Sequence, residues 1–188
     1  MRKLTYYVAT SIDGYIAGPG GEVDFYPVAD DLAAWANARL PETVPAPIRA
    51  LTGFDAPNQR FDTVLMGRGT YELGLKTGTT NPYPHMRQYV ISNTIKSVDE
   101  PAIELVPGDP LGLVRRLKQE DGLDIWLCGG GNVAAQLLPE IDEMIIKCYP
   151  VVAGAGIPAF HGGFRPTTFT LTGTETFGNG TLVTTYTR

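Results

Sequence analysis

The chain has 188 residues, of which 43% are hydrophobic and 19% charged; this fits one globular domain over residues 1–188 and excludes a disordered tail. A net charge of −5 argues against nucleic-acid binding, which leaves a basic footprint. No apolar run approaches the ~20 residues of a membrane span, and Met1-Arg2-Lys3 leads straight into a strand pattern. A cytoplasmic protein with neither leader nor anchor is therefore expected.

Along the chain, strand and helix signals alternate. Leu4-Thr5-Tyr6-Tyr7-Val8-Ala9 reads as a first strand closed by Asp13-Gly14. Asp30-Asp31, followed by Leu32, Trp35 and Ala36, reads as an acidic first turn opening a short amphipathic helix. From Pro41 to Asn58 the prolines and Gly53 predict a long loop with at most one helical turn. Thr63–Met66, Gln88–Ile91, Ile103–Val106, Asp124–Cys128 and Met144–Tyr149 are short apolar runs suited to strands covered on both faces. A helix is predicted just after Gly67. A second starts at Asp109-Pro110, with Leu111, Val114 and Leu117 on one face and Gly122 as its stop; a third runs from Asn132 to Leu138. The Thr-rich C-terminus reads as an antiparallel hairpin turning at Gly178-Asn179-Gly180. Together these predict a three-layer α/β fold: a mostly parallel sheet, an antiparallel C-terminal edge and helices on both faces. Cys128 and Cys148, inside apolar runs, read as buried free thiols, and no Cys/His spacing suggests a metal site.

Ligands of open α/β sheets bind beyond the carboxyl ends of the strands, so glycine-marked strand ends are the places to look. Leu65-Met66-Gly67-Arg68-Gly69-Thr70 offers backbone N–H groups, a hydroxyl and a permanent cation; it suits a phosphate, or equally a tight turn whose arginine pairs with an acid. Gly129-Gly130-Gly131-Asn132-Val133 lets backbone approach a ligand closely, but it lacks the G-x-G-x-x-G spacing of a Rossmann dehydrogenase. Ser11-Ile12-Asp13-Gly14 reads as a turn closing the first strand. With two histidines and no G-x-S-x-G, a hydrolase triad is not supported.

Taken in order, these segments resemble the dihydrofolate reductase-like superfamily, and within it the stand-alone proteins similar to the reductase domain of bacterial riboflavin biosynthesis. Val8–Ala17 resembles the first strand and nicotinamide loop, Met66–Glu72 the pyrophosphate turn, and Val90–Asn93 the strand end at the adenosine phosphate. Gly129–Asn132 resembles the glycine turn on the cofactor, and Pro150–Pro158 the late loop of the riboflavin-type branch. The resemblance implies NADPH. Gly67, Arg68 and Thr70 would meet its diphosphate, Ser92 and Asn93 its 2′-phosphate, and the backbone of Ala9 and Ile16 its carboxamide. Gly129, Gly130, Gly131, Asn132 and Val133 would run beneath it. The resemblance also implies a cis Gly129-Gly130 peptide and a homodimer.

On the substrate side, Asp31 is the best match to the pocket acid of folate-reducing members, and equally a helix-start residue. Phe25, Tyr26 and Trp35 could stack on a flat ring, Trp35 being alternatively core. Gly18, Gly20 and Gly21 give the preceding loop freedom to close. The threonine that usually backs the acid is replaced by Lys147 or Cys148, and no arginine clearly grips a glutamate tail. The reading that follows is an NADPH-dependent reductase of a small heterocycle or sugar-derived imine, with the proton from water or Asp31. Dihydrofolate reduction is the alternative within the class, and a nucleotide-binding module without turnover the alternative outside it. A basic pocket of Lys147 and Arg87 would favour a phosphorylated substrate.

Overall fold

The structure is a computed structural model describing residues 1–188. In chain order its strands are β1 (Leu4–Thr10), β2 (Tyr15–Ala17), β3 (Phe61–Gly67), β4 (Arg87–Ile91), β5 (Ile103–Val106), β6 (Asp124–Gly129), β7 (Glu143–Cys148), β8 (Ile157–Pro158), β9 (Thr170–Thr176) and β10 (Leu182–Thr187). The α-helices are α1 (Asp30–Arg39), α2 (Ala46–Thr52), α3 (Arg68–Lys76), α4 (Pro110–Gln119) and α5 (Gly131–Leu137).

Eight strands form one sheet in the order β5-β4-β3-β6-β1-β7-β10-β9. The first six are parallel; β10 joins β7 antiparallel and β9 joins β10 antiparallel. The β1 sequence LTYYVAT is central and buried along almost its whole length, as an uninterrupted apolar and β-branched run requires. Alternation then separates two cores. Leu4 and Tyr6 face one side with Val114 and Leu117 of α4 and Ala134 of α5. Tyr7 faces the other with Leu32 of α1, Tyr71 of α3 and Trp126. The result is the predicted three-layer arrangement with its antiparallel C-terminal edge.

Local sequence explains most boundaries. Asp109 caps α4, its Oδ1 accepting the Gly112 N–H at 2.9 Å, with Pro110 at the first helical position. The buried face of α4 is Leu113, Val114 and Leu117, Leu111 being only half-buried, and the helix ends at Gln119, before Gly122. Three further expectations are corrected, and one element is new. The 41–58 segment holds a 3₁₀ turn at Pro41–Thr43 and α2, because Pro41 and Pro47 occupy first-turn positions where a missing N–H costs nothing. Helix α1 is not amphipathic in effect, since Leu32 is its one buried residue. A second, two-stranded sheet of β2 and β8 was not legible in so few residues. Both cysteines are free, yet both are only half-buried.

Candidate functional site

Strands β3 and β6 are neighbours, with Met66 opposite Gly129, so their glycine turns emerge side by side. Contact there is close enough to require glycine: a Cβ on Gly67 would lie 3.0 Å from Val133 Cγ2 and 3.1 Å from the Gly130 nitrogen. Thr70 Oγ1 lies 3.5 Å from the place a Gly129 Cβ would take, and Ile16 Cδ1 lies 3.9 Å from that of Gly130. The Gly129-Gly130 peptide is cis. Gly67, Thr70, Gly129, Gly130, Val133 and Ile16, taken from three separate segments, are thus brought to one cradle at the carboxyl ends of the strands.

Arg68 opens α3 beside this cradle. It is half-exposed, donating from Nη1 to Thr94 Oγ1 at 3.0 Å with Glu72 at 3.7 Å from Nε. The Ser92-Asn93 turn therefore does stand next to Arg68, through Thr94, a residue the sequence reading missed. Ser92 Oγ accepts the N–H groups of Thr94 and Ile95, and Asn93 Oδ1 accepts that of Gly108 at 2.7 Å. Both side chains hold the turn itself in shape. The signal that could have found Thr94 is its spacing: Ser92-x-Thr94 is a Ser/Thr turn closing a strand end.

Two predicted cofactor residues are placed differently. A Cβ on Gly131 would fall 2.0 Å from the Pro158 carbonyl oxygen, and the Gly131 carbonyl accepts the His161 N–H at 2.9 Å. Gly131 therefore makes room for the segment after β8 rather than for a ligand. Asn132 accepts a hydrogen bond from Gln136 Nε2 at 2.6 Å and lines a cavity of about 860 Å³ with Phe160, Phe164 and Arg165. None of the cradle residues lines that cavity, so a cavity of this size does not by itself mark the site.

On the α1 side of the sheet, Phe25, Tyr26 and Tyr149 stack in series, with centroids 4.4 and 4.7 Å apart. The Tyr26 hydroxyl bridges the carbonyls of Tyr15 (2.9 Å) and Ala9 (3.3 Å), tying β2 to the end of β1. Lys147 belongs to this side as well, its Nζ 4.4 Å from the centroid of the Tyr7 ring. Burial pushes the Cys128 thiol up to about 12, so it is inert as a nucleophile at neutral pH.

Asp31 does not join them. Its Oδ2 accepts the Gly178 N–H at 2.7 Å, anchoring the turn of the C-terminal hairpin, and the residue is exposed. Trp35 is likewise turned to the hairpin, edge-on to Phe177 with Nε1 donating to Glu175 at 3.0 Å. Arg87 begins β4 at the opposite end of the parallel strands and is paired with Glu120, so it cannot form a basic pocket with Lys147. The loop of Gly18, Gly20 and Gly21 is closed on itself: Gly18 N–H donates to the Glu22 carbonyl at 2.8 Å and Gly20 N–H to Glu22 Oε2 at 2.9 Å. Asp13, held by Ser11 Oγ and by the N–H groups of Ala153 and Gly154, sits well below its ordinary range at about 2 and joins the first turn to the late loop.

The strand order and this cradle define a dihydrofolate reductase-like fold. More narrowly, the sequence model of the RibD C-terminal domain matches residues 2–183, and the chain belongs to that family. It is 32% identical over 179 residues to the uncharacterized protein YwjB of Bacillus subtilis (strain 168), covering 94% of this chain and 93% of that one. It is 27% identical over 194 residues to the uncharacterized protein YyaP of the same organism, covering 96% and 92%. Among solved structures, a putative riboflavin biosynthesis protein from Shewanella sp. PV-4 superimposes with TM-score 0.72 at 27% identity, over 99% of this chain and 98% of that one. A dihydrofolate reductase from Enterococcus faecalis complexed with NADP(H) shares the fold at TM-score 0.68 and 14% identity, over 99% and 96%. So does the diaminohydroxyphosphoribosylaminopyrimidine deaminase/5-amino-6-(5-phosphoribosylamino)uracil reductase of Thermotoga maritima, at TM-score 0.64 and 16% identity; there the match takes in 99% of this chain and 56% of that one.

Proposed function

We propose that the protein is an NADPH-dependent oxidoreductase acting on a small heterocyclic or sugar-derived substrate, in the manner of the reductase step of riboflavin synthesis. The observation that carries this reading is the cradle. Gly67, packed against Val133 and the Gly130 nitrogen, and Gly130, near Thr70 and Ile16, bring the two strand-end turns together, with the Thr70 hydroxyl between them and the Arg68 guanidinium opening α3 beside them. Such a set of strand-end turns, hydroxyl and fixed cation at a helix start fits a dinucleotide diphosphate. A bound reduced nicotinamide supplies hydride; the protein supplies position and charge. Arg68 and Thr70 hold the diphosphate, and the turn from Ser92 to Thr94 with Arg68 receives the 2′-phosphate. The Ala9 and Ile16 backbone orients the carboxamide, and the Phe25–Tyr26–Tyr149 stack flanks the substrate. With Asp31 committed to the hairpin, water brings the proton, and the folate alternative loses its pocket acid.

Fluorescence titration should show NADPH binding more tightly than NADH. A screen of pyrimidine, pteridine and quinone acceptors, followed by loss of reduced-nicotinamide absorbance, should then reveal turnover. Failure to bind either nucleotide sinks the reading; binding without turnover on any acceptor favours a nucleotide-binding module. A homodimer belongs to the same proposal, because β9 forms the outer edge of the sheet with Leu171 54% exposed, and such edges tend to be paired or covered. Light scattering at micromolar concentration should give twice the chain mass, and a monomeric mass refutes it.

A further inference from the structure

Alternation in β7 sends Ile145 into the core beside Tyr7 and Trp126, so Lys147, two residues on, points to the same face near the carboxyl end of the sheet. Its register partner on β1 is Ala9. Across β10 the same row continues to Val183 and Glu175. A strand interior is a costly place for a charge, and cations bordering the core elsewhere are paired with acids. Arg2 has Asp62, Arg60 has Glu143, and Lys118 has Glu140 and Asp142.

Lys147 has no carboxylate within salt-bridge distance. Tyr7, Tyr149 and Cys128 surround it, and burial pushes the Tyr149 phenol and the Cys128 thiol up, away from their charged forms. Glu175, in the same cross-strand row, is held by Trp35 and Arg39, and Asp31 of α1 by the Gly178 N–H. Burial opposes the ammonium charge, but the phenol groups of Tyr7 and Tyr149 more than offset it and hold Lys147 above its ordinary range. A cation with no carboxylate partner thus stands in a half-buried aromatic setting, across from Ala9 on β1 and beside Tyr149 of the ring series.

We infer that Lys147 is the specificity-determining cation of the substrate pocket, and that the acceptor is a flat heterocycle bearing a negative charge, as a carboxylate or an ionised ring oxygen. The inference deepens the reductase reading and rests on it only in taking the ring stack beside Ala9 as the substrate side of the site. An anionic ring satisfies the ammonium and lies against Tyr26 and Tyr149; a neutral ring of the same shape leaves the cation buried and unpaired, the arrangement most costly to make.

The test uses matched probes on the full chain, with and without NADP⁺. Orotate is set against uracil, and pterin-6-carboxylate against pterin, read by thermal shift and tryptophan fluorescence. The anionic member of each pair should bind at least ~10-fold more tightly, the factor of one charge-assisted contact. Lys147→Met should remove that preference, and Lys147→Arg should retain part of it. Equal binding within both pairs, no binding of any probe, or an undiminished preference in Lys147→Met overturns the inference. Should Lys147→Met not fold, Lys147→Gln takes its place, and the wild-type pairs decide in either case. Parallel NADPH titration separates the two claims. Anion preference without NADPH binding overturns the reductase reading alone, and NADPH binding without anion preference overturns the role of Lys147 alone.

Discussion

At the amino ends of the parallel strands the cations are paired with acids, although Arg2 Nη1 has no hydrogen-bond partner of its own. Arg2 lies between Asp62 and Thr63, Arg60 meets Glu143, and Lys118 bridges Glu140 and Asp142. At the carboxyl ends the chain instead leaves cations uncommitted: Lys147 without a carboxylate, and Arg68 half-exposed beside the glycine turns at Gly67 and Gly129-Gly130. The first arrangement maximises stability, because unpaired buried charge costs several kcal/mol. The second gives up some of that stability to keep donors and cations free for a ligand. Substitutions at the two ends should therefore separate cleanly, the amino end moving melting temperature and the carboxyl end moving binding.

The largest effect is expected at Glu42, next to the amino end. Its side chain is fully buried, and its two oxygens accept three backbone N–H groups, from Gln59 (3.2 Å), Arg60 (3.0 Å) and Phe61 (2.7 Å). It fixes the proline-rich segment to the start of β3. Glu42→Ala leaves those donors without an acceptor and should cost about 3 kcal/mol, at roughly 1 kcal/mol or more per orphaned group. Denaturant unfolding reads this directly. NADPH affinity of the folded fraction should not change, and a loss of affinity equal to that of a cradle variant would blur the distinction between the ends.

Arg68→Ala is the matching probe at the carboxyl end. The guanidinium is 53% exposed, so its contact with a diphosphate is partly screened, and the loss should lie near the low end for a charged hydrogen bond, about 1.5 kcal/mol or ~10-fold in NADPH affinity. The melting temperature should hardly move, since removing the guanidinium gives up only its exposed contacts with Thr94 and Glu72. Unchanged affinity with intact binding places the diphosphate elsewhere.

The same contrast explains what the sequence revealed. The strand runs, the Asp109-Pro110 helix start and the Gly178-Asn179-Gly180 turn were legible because each depends on neighbouring residues alone. The cradle was legible because Gly67 and Gly129-Gly130 carry their backbone requirement in their identity. Glu42 was not, since it sits in the segment that read as loop and its three donors lie 17 to 19 residues further on. Nor was the pairing of charges: alternation could place Lys147 on the α1 face, but only the fold shows that Glu175 and Asp31 are already engaged.

Asp31 should give the smallest effect and the sharpest one. Its carboxylate reaches Gly178, 147 residues along the chain, and the Asn179 side chain reaches back to the Pro27 carbonyl at 3.0 Å, so the hairpin turn is fastened to the start of α1 at two points. Asp31→Asn keeps an acceptor oxygen for the Gly178 N–H and loses only the charge, on an exposed side chain; stability should fall by less than ~1 kcal/mol. Once an acceptor is found, kcat/KM and its pH profile should be those of the unaltered protein, because the group that changes charge faces the hairpin. Hydrogen exchange at the Gly178 amide supplies the positive control, accelerating in Asp31→Ala, where the acceptor is gone. A kcat/KM that drops in Asp31→Asn, with a pH dependence that disappears, would show instead that the carboxyl swings to the substrate and delivers the proton, and α1 would then belong to the functional end of the molecule.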